Sequence, residues 1–279
     1  IRGEDHLTNT GKHVPLFEAF AAPVPTFGHL PLILGTDKKR LSKRFGATSV
    51  EEFRSQGILP QALYNYLALL GWSPGGDREL MTRKEMAEIF TTDRFNSSPA
   101  VFDAEKLAWV NAHYLVQLPI EEILEHAAPF LAEAGLGQVD RPRLTDAVNL
   151  HRSRARCLRD IAADVRSYFG DVIYDATACA KFLADAALPE LLQTLASRLA
   201  AMDDWTKDSS EAALRALAEE RGLKAGALIH PTRMALSGEA GGPPLFDLVA
   251  VMGRERSGQH FANFQAFLES ARSPSTSRA

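Results

Sequence analysis

The densest charge in the sequence lies at residues 38–44, Lys-Lys-Arg-Leu-Ser-Lys-Arg, with five cations in seven positions. Such a run can hold phosphate: lysine is a compact charge on a flexible stem, and the Ser42 hydroxyl adds a donor. A cationic loop can also lower a barrier in which negative charge grows on a departing group, because those contacts strengthen in the transition state. A second concentration comprises Arg141, Arg143, Arg152, Arg154, Arg156 and Arg159. A guanidinium can hydrogen-bond an unstacked base or lie on its face, the usual way single-stranded RNA is read. Short basic runs also occur as plain solvated surface, so their setting decides between these readings.

Residues 29–34, His-Leu-Pro-Leu-Ile-Leu between Gly28 and Gly35, form a short apolar run that predicts a buried strand of a parallel sheet just before the basic loop. Residues 7–20 predict a helix with Phe17 and Phe20 on its apolar face, limited or kinked by Pro15. Ser49-Val50-Glu51-Glu52 is a capping box opening a helix that stops near Gly57. Pro60 starts another, with Leu63, Leu67 and Leu70 on one face and Gly71 as its stop. Further helices are predicted at 82–90 and 103–114, the latter with Leu107, Val110 and Tyr114 at helical spacing. Beyond residue 118 the pattern is helix after helix, at 119–134, 144–168, 176–186, 188–202, 208–221, 224–229, 244–253 and 259–271. In the 144–168 segment Arg152, Arg156 and Arg159 fall at i, i+4 and i+7, opposite an apolar stripe of Leu158, Ile161 and Val165. Residues 273–279 have a disordered composition.

The 279 residues, 46% hydrophobic and 24% charged, suit a globular chain of two domains or three small ones. No apolar run approaches the roughly 18 residues that span a bilayer, and no signal-peptide pattern opens the chain. Ile1 enters as if within an element, which suggests a piece of something longer. Two cysteines, Cys157 and Cys179, cannot make a zinc site and read as reduced thiols in a cytoplasmic protein. The net charge of −4 gives no general attraction to nucleic acid, so any such partner depends on the local basic patches.

Arg40-Leu41-Ser42-Lys43-Arg44 resembles the K-M-S-K-S loop of class I aminoacyl-tRNA synthetases, with Arg40 where a lysine is usual and Phe45 where a histidine is common. Phe27 to Gly35 resembles the glutamyl branch's approach to that loop, and Ile1-Arg2-Gly3-Glu4-Asp5-His6-Leu7-Thr8-Asn9-Thr10 resembles the segment closing its active site. The resemblance continues through Leu59–Trp72, Ser98–Asp103 and Lys106–Asn111, then Ala147–Arg154 and His230–Asp247. Several segments in the right order are far more specific than one motif.

Membership of the glutamyl-tRNA synthetase family would imply a mainly α chain. A remnant of a class I Rossmann-type catalytic domain (1–46) would precede a helical stem-contact domain (47–118) and two all-helical anticodon-binding subdomains (119–175 and 176–279). All-helical anticodon regions mark the bacterial type, whereas the glutaminyl branch ends in β-barrels. The implied activity is ATP-dependent conversion of glutamate to glutamyl-adenylate, Mg2+ accompanying ATP, and transfer to the 3′ end of tRNA(Glu). Lys43 would be the main ATP contact, with Ser42 and Arg40 beside it. Arg2 would clamp an anionic substrate, a guanidinium fitting a carboxylate bidentately, and His6 would lie against the adenylate. Arg154 would read the third anticodon base, while Arg233 with Gly242, Pro243 and Leu245 would meet the first two. No metal ligand set, DNA partner or membrane partner is implied, and a monomer is expected. The family's H-I-G-H type motif is absent from the sequence, so adenylate formation by these residues alone is not expected. Two other readings are a tRNA-binding module without catalysis and a synthetase that also charges tRNA(Gln), the arginine at 154 leaning towards discrimination.

Overall fold

The computed structural model describes residues 1–41 and 49–272; Ser42, Lys43 and Arg44 lie outside the described residues. The chain divides into two compact units, one of Ile1–Gln117 with Arg156–Leu158, the other of Leu118–Ala155 with the residues from Arg159 onward.

In the first unit, β1 (Arg2–Gly3) leads through a 3-10 turn at Glu4–His6 into α1 (Leu7–Ala19), which continues through Pro15. Phe20 is 80% exposed, so it adds nothing to a core. The apolar run at 29–34 is not one buried strand. It splits into β2 (His29–Leu30) and β3 (Ile33–Leu34), both half-buried. Pro31 has no N–H to continue a ladder, and the N–H of Leu32 donates to Glu4 Oε1 at 3.1 Å. The parallel sense is as expected: β2 pairs with β1, and β3 pairs with β4 (Ala100–Val101).

Helices α2 (Val50–Ser55), α3 (Pro60–Gly71), α4 (Arg83–Ile89) and α5 (Ala104–Gln117) complete this unit. The Ser49–Glu52 capping box is present, and Thr82 with Glu85 makes a second one at the start of α4. The α3–α5 pair carries the core, with Leu107, Val110 and Tyr114 buried at their helical spacing. On α3, Leu63 and Leu70 are buried, but Leu67 is 43% exposed and Tyr66 takes its place. The cause is Asn65. Its fully buried amide donates to Glu79 C=O (2.8 Å) and accepts from Met81 N–H (2.9 Å) and Tyr114 Oη–H (2.9 Å). Satisfying those groups turns the helix towards residues 79–81.

The named elements of the second unit, among its described residues, are all helices: α6 (Ile120–Glu133), α7 (Arg141–His151), α8 (Leu158–Asp164, with Leu158 in the first unit), α9 (Ala180–Leu183), α10 (Leu188–Ala200), α11 (Lys207–Glu220), α12 (Gly226–Ser237), α13 (Leu245–Met252) and α14 (Arg254–Arg272). α10 packs on α14 through Leu188, Leu192, Leu195 and Leu199, all buried. The predicted 176–186 helix shrinks to α9, whereas the 224–229 segment extends through Pro231 to the left-handed Gly238.

The predicted single helix over 144–168 is broken. α7 ends at His151, a turn follows, and α8 with a 3-10 turn at Val165–Tyr168 resumes the path. In a continuous helix, Leu158 N–H would bond within the helix; it donates instead to Gly57 C=O at 3.0 Å. The Arg156 carbonyl accepts from Asn111 Nδ2 at 2.7 Å. Arg152, Arg156 and Arg159 therefore do not form an i, i+4, i+7 row.

Candidate nucleic-acid interface

The break after α7 is what sets Arg154 apart from its neighbours. Asp140 caps α7 by accepting from Arg143 N–H at 3.0 Å, and the Arg154 N–H turns back to His151 C=O at 2.9 Å. Three nearby arginines are engaged elsewhere. Arg152 donates to Leu118 C=O (2.9 Å), Arg156 pairs with Glu105 (2.5 Å), and Arg159 pairs with Glu133 (3.3 Å) over the Phe130 ring. The exposed Arg154 guanidinium has no partner among the described residues.

His151 is buried, with Nδ1 3.2 Å from Asp164 Oδ2 and Nε2 3.0 Å from Tyr168 Oη. A carboxylate can only accept, so for a neutral ring Nδ1 carries the hydrogen and the Tyr168 hydroxyl donates to Nε2. Burial pushes the Tyr168 phenol well above its ordinary value, with the Asp164 carboxylate adding to the rise, so it stays protonated.

Arg233 lies on the last turn but one of α12. Its Nη1 donates to Pro243 C=O at 2.5 Å, and Gly242, at φ 136°, leaves room for it: a Cβ there would come within 3.3 Å of Nη1. Burial, and then the nearby Arg154 cation, hold the Arg233 guanidinium below its usual value. Arg233 thus ties the Gly242–Pro243 loop in place. Gly242, Pro243, Arg154 and Asp164 line one cavity of about 400 Å³, within the range of roughly 300–1,000 Å³ that receives small ligands. Leu245 sits apart from it, buried at the first position of α13.

In the first unit, the chain from Gly35 makes a tight turn back onto β3. Gly35 N–H donates to Lys39 C=O (2.8 Å), Leu41 N–H donates to Ile33 C=O (3.0 Å), and Arg40 forms an isolated antiparallel bridge with Leu34. The Arg40 guanidinium is 3.0 Å from Asp5 Oδ2. Arg2 lies over the Phe27 ring and donates to Thr10 Oγ1 (2.6 Å), with His13 Nδ1 and His29 Nε2 at 3.3 and 3.4 Å. His6 is exposed, its Nδ1 3.2 Å from Asn9 Nδ2. Arg2 and Arg40 are thus placed on one unit and Arg154 and Arg233 on the other.

Two family models cover most of the chain: class I tRNA synthetases (E and Q), catalytic domain, over residues 1–109, and an anticodon binding domain over residues 122–262. The chain belongs to the glutamyl-tRNA synthetase family. Similar curated members include the glutamate–tRNA ligase of Moorella thermoacetica, 39% identical over 261 residues (91% of this chain, 53% of that protein). That of Desulforudis audaxviator is 43% identical over 265 residues (91% and 52%). The crystal structure of a glutamate tRNA ligase from Elizabethkingia meningosepticum in complex with its amino acid matches with a TM-score of 0.82 at 30% identity (96% of this chain, 56% of that one). The chain spans about half the length of the curated family members it matches.

Sequence patterns did not single out Asp5, His151, Asp164 or Tyr168. Asp164 and Tyr168 lie 13 and 17 residues from His151, and the assumption of one continuous helix hid their convergence.

Proposed function

We propose that this chain serves a glutamate–tRNA ligase, in which ATP activates glutamate and the glutamyl group passes to tRNA(Glu). Residues 1–46 contribute the end of the catalytic domain, 47–118 the stem contact, and 119–175 with 176–279 the anticodon reader. The observation that supports the last assignment is a pair of guanidiniums beside one loop, Arg154 lining a cavity with Gly242 and Pro243 and Arg233 donating to Pro243 C=O at 2.5 Å. Neither is paired with a carboxylate among the described residues, and the bond to Pro243 ties Arg233 to that cavity's wall. Unpaired cations beside a cavity suit an RNA loop, whose splayed bases offer acceptors and whose phosphates offer charge.

In this reading Arg154 donates to the third anticodon base, and Arg233 positions the Gly242–Pro243 loop for the first two. Leu245 contributes by seating the start of α13 rather than by touching RNA with its side chain. On the catalytic side Lys43 and Ser42 bind the ATP phosphates, and Arg40, held by Asp5, anchors the near end of that loop. Arg2 serves the anionic substrate and His6 the adenylate. Mg2+ arrives with ATP; no group of three or more metal-ligating side chains occurs among the described residues. No described helix is long and apolar enough to cross a membrane, and the protein acts in the cytoplasm as a monomer.

Filter binding of a tRNA(Glu) transcript to wild type, Arg154→Ala and Arg233→Ala tests this. Loss of a charged hydrogen bond to the RNA in Arg154→Ala, and release of the Gly242–Pro243 loop in Arg233→Ala, each predict a weakening of about tenfold or more. Unchanged affinity and anticodon preference in both would remove these residues from the reader.

A further inference from the structure

Arg256, His260 and Asn263 stand at i, i+4 and i+7 on α14, along one face of the helix, and all three reach the same stretch of chain. His260 Nε2 is 2.7 Å from Ser167 C=O; a carbonyl can only accept, so Nε2 carries the hydrogen. Arg256 Nη2 donates to Phe169 C=O at 2.9 Å, and its Nη1 is 3.8 Å from Asp171 Oδ1. Asn263 Nδ2 is 3.4 Å from the same Asp171 oxygen. Three residues on, the Tyr174 hydroxyl is 2.8 Å from Ala235 C=O and 3.2 Å from His260 C=O, and its ring lies against Phe264 and Phe267. The 167–174 segment is therefore tied to α14 at four points.

The segment depends on those ties, because residues 171–174 belong to no helix or strand and no ladder fixes their backbone. It also forms part of the cavity that Arg154 lines: the Arg166 cation just before it, then Ser167, Asp171, Val172 and Ile173, stand in that wall. Where these groups stand is set from α14. The margin is small. Ser167 Oγ and His260 Nδ1 are buried without a hydrogen-bond partner among the described residues, and each unmade bond offsets part of what the made ones contribute. A segment held by so little can open locally while the helices around it stay folded.

We propose that His260 and Arg256 are positioning residues for RNA binding, holding the 167–174 segment so that its cavity-lining groups stand in register with Arg154. Neither needs to touch the RNA. His260 is 0% exposed, and the Arg256 guanidinium is engaged by Phe169 and Asp171. The proposal rests on the tRNA-binding reading above and adds to it a support that lies behind the site. Apparent affinity then falls by the fraction of molecules whose segment is out of place.

The test uses the whole chain and an RNA hairpin carrying the tRNA(Glu) anticodon. Fluorescence anisotropy would be measured on wild type, Arg154→Ala, His260→Leu, His260→Gln, Arg256→Ala and Arg256→Lys, with hydrogen exchange at the residue 167–174 amides and thermal melting of each. His260→Leu and Arg256→Ala are expected to bind about three- to tenfold more weakly, with faster exchange confined to the segment. His260→Gln and Arg256→Lys keep a donor for the same carbonyls and are expected to recover most of that loss. Should His260→Leu fail to fold, the Arg256 pair decides alone. Equal loss in the conservative and the truncating variants would overturn the proposal, as would faster segment exchange at unchanged affinity. If Arg154→Ala weakens binding while His260→Leu and Arg256→Ala bind as wild type, the positioning role is wrong and the anticodon reading stands. If wild type does not bind the hairpin, the tRNA reading fails and the positioning role fails with it.

Discussion

Replacing Tyr168 by Phe removes one hydroxyl from a site with no access to water. Tyr168 is 0% exposed, and its oxygen is 3.0 Å from Nε2 of His151, itself 5% exposed. The variant leaves Nε2 without a donor, which costs about 1–3 kcal/mol for an unsatisfied buried group. His151→Leu makes the complementary error, stranding the hydroxyl while Asp164, 40% exposed, can turn to water. With both changes the stranded atoms vanish together, so the double variant should be less destabilised than the sum of the singles by about 1–2 kcal/mol. Urea unfolding followed by circular dichroism, with hydrogen exchange at the α7 and α8 amides, measures the cycle. Strict additivity would mean that His151 and Tyr168 do not depend on each other, refuting the network that holds Asp164.

Three further outcomes follow from the packing. Asn111→Ala strips Leu59 N–H (2.8 Å) and Arg156 C=O (2.7 Å) of their buried partner, and should lower the unfolding free energy of the first unit by about 2–4 kcal/mol in urea titrations. Gly238→Ala places a Cβ 2.7 Å from Val172 Cγ1 at φ 74°, so a loss of about 1–3 kcal/mol is expected, with faster exchange of the residue 172–174 amides. Burial holds the His260 imidazole below its ordinary value, Arg256 adding to this while the Ser167 carbonyl and Asp171 oppose it. The unfolded chain then takes up a proton near about pH 6.5 that the folded chain refuses, so stability is full above that pH and falls as the pH drops below it. His260→Gln should flatten that acid limb of a denaturation series.

Much of this architecture was legible because helix signals are local. The capping box at Ser49, Pro60 at a helix start and the apolar spacing of Leu107, Val110 and Tyr114 each required only neighbouring residues, and each is in place. The errors came from distant partners. Asn111, 45 residues away, takes the Arg156 carbonyl and Gly57 takes the Leu158 N–H, so the arginine row predicted on a single helix dissolves. The buried Asn65 rotates α3 in the same way. Arg154 was legible as a candidate through family resemblance. Its lack of an ion-pair partner among the described residues, and the Asp164–His151–Tyr168 set beside it, depend on a turn that no periodicity announces.

Whether the helical unit reads an anticodon is decided by a ratio. Dissociation constants would be determined for the wild-type chain with two full-length transcripts that differ only in the anticodon, that of tRNA(Glu) and an unrelated one, at one salt concentration. Phosphate contacts are common to both and cancel, leaving base recognition. Binding to the tRNA(Glu) anticodon should be tighter by about tenfold or more, the worth of one good base contact, and that ratio should be lost in Arg154→Ala. Equal dissociation constants for the two transcripts with the wild-type chain would contradict anticodon reading.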